Sequence, residues 1–150
     1  MLSDTDRQII AHLRKNARVP LTKLAEKLGI PISTIYDKVK HHEKNIIKKH
    51  TCLLDFPKLG FQAKTYIAVT LKDNAKKRDA RKLLQEFLFT DSNVNSLYRI
   101  NYGHDFLVEC IFRNIGEAEE FAEHLESKFE IEKLHKFNIV NELKKEEFLI

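Results

Sequence analysis

The chain has 150 residues, 43% of them hydrophobic and 32% charged, a size and balance that suit one globular domain or two small ones and exclude a disordered chain. It holds no run of about eighteen apolar residues, which excludes a membrane-spanning helix, and its polar, acidic opening MLSDTDRQ speaks against a signal peptide. The net charge of +4 is unevenly divided: residues 1–50 hold eleven Lys/Arg against five Asp/Glu and the remainder fifteen against seventeen, so the basic surface belongs to the first third, as in a nucleic-acid binder.

Ser3 is suited to cap a first helix, and Asp6 three residues on can complete a capping box. Ile9, Ile10 and Leu13 share one face of that helix, which should fray near Asn16 to Arg18. Leu21, Leu24, Ala25 and Leu28 form the apolar stripe of a second helix. Gly29 stops it, since glycine takes the left-handed conformation without a Cβ penalty. Pro31, its φ fixed at a helical value, then opens a third helix with the stripe Ile32, Ile35 and Val39. Two short helices joined by a brief glycine-containing turn are a helix-turn-helix, and the small Ala25 lets them cross closely opposite Ile35. Asn45 is expected to close the third helix in a left-handed conformation. Ile46 to Leu54 reads as a strand or extended linker running into the turn Asp55-Phe56-Pro57-Lys58-Leu59-Gly60.

Beyond Gly60 the pattern turns to alternation. Ala63, Thr65, Ile67, Val69 and Leu71 recur at period two and predict a strand. Ala80, Leu83, Leu84, Phe87 and Leu88 then predict an amphipathic helix. Val94 to Asn101 and Phe106 to Phe112 read as strands joined in a hairpin across Tyr102-Gly103-His104-Asp105. Asn114 and Glu117 can cap a further helix with the stripe Ala118, Phe121, Ala122, Leu125 and Phe129, and Ile131 to Val140 closes the set as a strand. The order βαββαβ is the ferredoxin-like arrangement, whose right-handed crossovers place both helices on one face of a four-stranded antiparallel sheet. Phe106, Val108, Cys110 and Phe112 make one apolar face of the third strand, while Leu107, Glu109 and Ile111 stand on the other. Mixed apolar content on both faces, with Phe148-Leu149-Ile150 in the tail, predicts contact with a second subunit.

The third helix is the candidate recognition helix. Ser33, Asp37, Lys40, His41 and Lys44 fall opposite its buried stripe, to which His42 also belongs, with Thr34, Tyr36 and Lys38 on the flanks. The N-terminal residues of such a helix reach base edges, so Ser33, Thr34 and Asp37 are candidates for base readout, and Lys38 can address guanine or phosphate. Lys40, His41, Arg18, Thr22 and Lys23 are candidates for phosphate positioning. Tyr36 belongs to the same surface, half-packed against the domain rather than stacked on a base, and Asp37 has the alternative of an intrahelical partner in Lys38, Lys40 or His41. His41 and His42 point to different helix faces, so no metal site is expected. Cys52 and Cys110 lack paired spacing and read as buried small hydrophobes in a reducing compartment, which predicts the cytoplasm.

With both halves in view, the chain resembles the Lrp/AsnC, or feast/famine, family of prokaryotic transcription regulators. The resemblance runs from Leu2 to Val140 and is carried by LSDTDRQIIAHLRKNAR, LTKLAEKLGI, STIYDKVKHHEKNIIKKHT and LDFPKLGF, in that order and spacing. The chain departs from the family pattern at Pro31 in place of a capping serine, at His42 in place of leucine, at Asn45 in place of glycine, and in the single residue between Gly103 and Asp105. The resemblance implies an α+β protein: a helix-turn-helix domain over 1–45, a strand-containing linker over 46–61, and a βαββαβ domain over 62–150 that forms a homodimer or higher oligomer. It also implies double-stranded DNA as partner and an amino-acid effector near the hairpin, at Tyr98, Asn101, Gly103, His104 and Asp105. No catalytic order of Ser, His and Asp, phosphate loop or metal spacing is present, so the expectation is a regulator without enzymatic activity, metal or cofactor. Two other readings stand beside it. One is an architectural protein that coats DNA; the other is a decarboxylase of the haem-pathway type that resembles the same fold, using His104, His124 and His135.

Overall fold

In the computed structural model, which describes residues 1–150, helix α1 spans Asp4–Lys15 and starts from a reciprocal cap. The Ser3 hydroxyl accepts from the Asp6 N–H at 3.2 Å while the Asp6 carboxylate accepts from the Ser3 N–H at 3.2 Å, satisfying two of the donors a helix start leaves open. Helix α2 (Leu21–Leu28) ends at Gly29, whose φ of 63° turns the chain and lets its N–H donate to Ala25 and Glu26. Helix α3 (Ile32–Asn45) begins after Pro31, which stands at the cap itself (φ −56°, ψ 140°) and has no side-chain oxygen with which to hold the first turn. The three helices enclose a core of Ile9, Leu13, Leu24, Ala25, Ile35 and Val39, sealed by Val19, Leu21, Leu28, Ile30 and Ile47.

Four expectations change in this region. Ile32 is 46% exposed, because the stripe of α3 that meets the other helices starts one turn later, at Ile35. Asn45 is helical rather than left-handed: its amide donates to the His41 carbonyl at 2.8 Å, and the helix closes at Ile46 as the N–H groups of Ile46 and Ile47 both donate to His42. Residues 46–54 form no strand, since no other segment of the chain offers them a ladder of hydrogen bonds. Cys52 lies in this stretch and is exposed, not buried. A 3₁₀ turn over Pro57–Leu59 follows and ends on Gly60 at φ 90°.

The second half builds strand β1 (Ala63–Leu71), helix α4 (Lys77–Thr90), strands β2 (Val94–Arg99) and β3 (Phe106–Phe112), helix α5 (Ile115–Lys128) and strand β4 (Ile131–Asn138). The sheet order is β2-β3-β1-β4 with antiparallel neighbours, so the βαββαβ, α+β architecture stands. Asn114 caps α5 by accepting from the Glu117 N–H at 2.9 Å, and Glu117 accepts in turn from Arg113, one residue earlier than a capping box requires. Alternate residues of the central strands (Ile67, Val69, Leu71, Phe106, Val108, Cys110 and Phe112) pack against Leu84 and Leu88 of α4 and Ala118, Phe121 and Leu125 of α5. Leu83, expected in the α4 stripe, is 60% exposed because Leu84 and Leu88 carry the contact. Burial pushes the Cys110 thiol up to about 12, keeping it an inert part of this core.

The other face of the sheet carries Tyr66, Ala68 and Thr70 on β1 and Leu107, Glu109 and Ile111 on β3. Here Glu109 is fully buried, accepting from the Tyr66 hydroxyl, the Asn95 amide and the Ser96 hydroxyl. A bulge in β2 between Val94 and Ser96 places Asn95 for this bond. Tyr98 and Phe137 stand half-exposed. By contacts the chain divides into two units: residues 55–142 form one, while the tail 143–150 joins residues 1–54 in the other instead of completing the C-terminal domain. Within that first unit the Arg14 Nε donates to the Phe148 carbonyl at 2.7 Å, and its Nη2 pairs with Glu146 at 3.3 Å. No helix is long and apolar enough to cross a membrane.

Candidate nucleic-acid interface

Helix α3 sorts its residues by periodicity. Ile35, Val39 and His42 fall on one stripe and are 0%, 7% and 2% exposed, leaving the opposite face to solvent. Ser33, Thr34, Asp37, Lys40, His41 and Lys44 are all exposed on α3. Asp37 makes no hydrogen bond or contact ion pair there and meets Lys40, one of its three candidate intrahelical partners, through its charge alone. Tyr36 is 47% exposed, half-packed as its place on the flank predicts; the Lys40 Nζ lies 4.8 Å from its ring centroid, and the neighbouring Tyr36 hydroxyl holds the Lys40 ammonium pKa above its ordinary value. His41 sits beside the Asn45 amide at 3.4 Å.

Lys38 is paired within the chain. Its Nζ lies 2.8 Å from Asp6 Oδ1, turned to the start of α1 rather than outward, because helical spacing places Lys38 beside the buried stripe. The same oxygen lies 3.1 Å from the His42 Nε2. Lys38, and after it the Ser3 cap, hold the Asp6 carboxyl well below the usual carboxylate range. Periodicity placed His42 inward, but nothing local in the sequence announces that its partner is a capping residue of another helix.

Arg18 is exposed in the turn after α1, its backbone N–H held by the Asn16 side chain at 3.0 Å, and Thr22 and Lys23 stand exposed on the first turn of α2. Neither α2 nor α3 carries an acidic residue in its first turn, so the positive ends of both helix dipoles are left unopposed. No group of three or more His, Cys, Asp or Glu is placed to hold a metal ion.

The hairpin between β2 and β3 is the second expected site. Tyr102 (φ 57°) and Gly103 (φ 84°) are both left-handed, as a tight connection between twisted strands demands. Asp105 is 3% exposed and occupied within the chain: its Oδ1 accepts from the Arg81 Nε and Nη2 at 3.0 and 2.9 Å and its Oδ2 from the Leu71 N–H at 2.8 Å, with Lys77 4.0 Å away. Burial pushes this carboxyl up, but the Leu71 N–H, Arg81 and Lys77 together hold it below its ordinary value. Asp105 is therefore the frame of the hairpin rather than a free ligand group. His104 Nδ1 lies 2.9 Å from the Thr70 hydroxyl, which also meets the Gly103 carbonyl at 2.9 Å, and the His104 ring stacks edge-on to His135 at 5.6 Å. Asn101 is exposed, and Tyr98 stands across from Leu107 on the open sheet face.

Comparison with known proteins places these features in context. Residues 2–41 match the AsnC-type helix-turn-helix domain. An uncharacterized HTH-type transcriptional regulator of Pyrococcus furiosus is 30% identical over 146 residues, covering 97% of this chain and 95% of its own. The HTH-type transcriptional regulator LrpA of Pyrococcus horikoshii is 33% identical over 118 residues, covering 78% of this chain and 79% of its own. Among solved structures, a transcriptional regulator of Neisseria meningitidis in complex with L-Met superposes with a TM-score of 0.87 at 18% identity, over 97% of this chain and 94% of that one.

Proposed function

This chain belongs to the Lrp/AsnC family of transcription regulators, and on that premise we propose that it is a sequence-specific DNA-binding regulator that acts in the cytoplasm as a homodimer or higher oligomer and responds to an amino acid. The exposed face of α3, from Ser33 to His41 on the basic unit of the chain, carries this reading. A helix presenting Ser33, Thr34 and Asp37 near its N-terminus fits the major groove, where short polar side chains reach base edges. Lys40, His41, Arg18, Thr22 and Lys23 supply phosphate contacts around it. The sheet face away from α4 and α5, where Tyr98 and Phe137 stand half-exposed, supplies the dimer contact, and two recognition helices then read half-sites about one helical turn apart or a multiple of it. The L-Met in the Neisseria regulator supports an amino acid as effector. The hairpin offers it Tyr98, Asn101, Gly103 and His104, the last two already tied on one side to the Thr70 hydroxyl, with Asp105 holding the loop in shape.

Selection of bound sequences from random DNA, with and without an amino-acid mixture, tests this. The expected result is a pseudopalindromic site bound at least about a thousandfold more tightly than nonspecific DNA. A ratio near one overturns sequence-specific regulation in favour of a DNA-coating protein.

A further inference from the structure

The recognition helix is held to α1 by more than apolar contact. Lys38 and His42 lie four residues apart on α3, so both side chains leave the same flank, and both reach a single oxygen of Asp6 at 2.8 and 3.1 Å. The other oxygen of Asp6 is engaged with Ser3 in the cap of α1. Asp6 therefore joins the start of one helix to two residues of another. His42 is 2% exposed; its Nε2 faces the Asp6 carboxylate oxygen, an acceptor, and its Nδ1 is a buried atom with no partner. A buried imidazole with an idle nitrogen fills its place less well than a leucine would as packing alone. What it adds is a directional bond.

From this juxtaposition we propose that Asp6 is a positioning residue for DNA recognition: the Asp6–Lys38–His42 latch sets the rotation and axial register of α3, and Lys38 acts through Asp6 rather than on DNA. The core contacts of Ile35 and Val39 are non-directional and allow a short helix to slide or roll slightly, whereas charge-assisted hydrogen bonds to one carboxylate oxygen fix a geometry. The residues this register aims are Ser33, Thr34, Asp37, Lys40 and His41, so the inference rests on the DNA-binding reading above.

The test compares full-length Lys38→Met, Lys38→Arg, Asp6→Asn and the double variant Asp6→Asn/Lys38→Met, with Lys40→Met as the phosphate-contact control. Affinity for the selected site is measured across salt concentrations, and folding is checked by thermal unfolding. Lys40→Met should lower the slope of log K against log salt by about 0.9. Lys38→Met should lose about tenfold in affinity, as expected for a lost hydrogen bond to a charged group, keep the parent slope, and bind specific and nonspecific DNA more nearly alike. Lys38→Arg should restore affinity, and the double variant should be no weaker than the worse single one. A Lys38→Met slope that falls as that of Lys40→Met does, with specificity kept, overturns the latch in favour of a phosphate contact; so do additive losses in the double variant. If Asp6→Asn does not fold, the Lys38 pair alone carries these outcomes. A parent chain that binds no DNA at any salt overturns the proposed function itself, a result distinct from all of these.

Discussion

Asp105 shows how a family resemblance points to one role and the residue's surroundings to another. The resemblance makes Asp105 a candidate effector contact, yet its oxygens are filled by Arg81 and the Leu71 backbone. Removing one partner of such a buried pair leaves the other uncompensated, so Asp105→Ala should destabilise the chain by about 3 kcal/mol in denaturant unfolding. The pH dependence has a defined sign. The folded-state pKa of Asp105 lies below its ordinary value, so its contribution is present above the unfolded pKa and is lost as pH falls through the folded one. The parent should therefore lose stability on acidification over a range in which Asp105→Ala loses less. Equal acid sensitivity in the two proteins would remove this account of the hairpin. His42 and Lys38 teach the same lesson, since periodicity found their side of α3 but not the carboxylate they share.

At the scale of elements, what could be read from the sequence was what local chemistry determines. Ser3 with Asp6, Gly29 and Asn114 mark helix ends through bonds that span only three or four residues, and the stripes of α1, α2 and α5 follow from their spacing. The errors lie where the outcome depends on distant chain. Ile32 and Leu83 satisfy the helical period but stay about half-exposed, outside the cores, and residues 46–54 have strand composition without a strand to pair with. The candidate recognition surface was legible in the same degree: the exposure of Ser33, Thr34, Asp37, Lys40 and His41 followed from the wheel, whereas the inward turn of Lys38 depended on α1. The tail is the extreme case, because Arg14 reaches Glu146 and Phe148 across 132 and 134 residues, with no periodic signal to announce it. Removing residues 143–150, or changing Arg14→Ala, should lower stability by only about 1 kcal/mol, since the pairs are largely exposed. Hydrogen exchange localises the effect: faster exchange is expected in α1, with the strand amides unchanged.

For the molecule as a whole, the proposed dimer makes the second unit responsible for the geometry of DNA binding. Phe137→Asp places a charge on the open sheet face at a position that is 56% exposed, so it should leave the fold intact while preventing association. Sedimentation should show monomer where the parent is dimeric, with weaker binding to a two-half-site operator. An unchanged oligomeric state would place the interface elsewhere. The docked tail has a further consequence, in time rather than in space. The ribosome makes the helices of the first unit early and the eight residues 143–150 that join them much later. At typical elongation rates the interval is on the order of 5 to 20 s, long enough for the intervening sheet to fold. A translation product cut short after β4 carries all three helices but leaves Arg14 without the carbonyl of Phe148 and the carboxylate of Glu146 that it holds here.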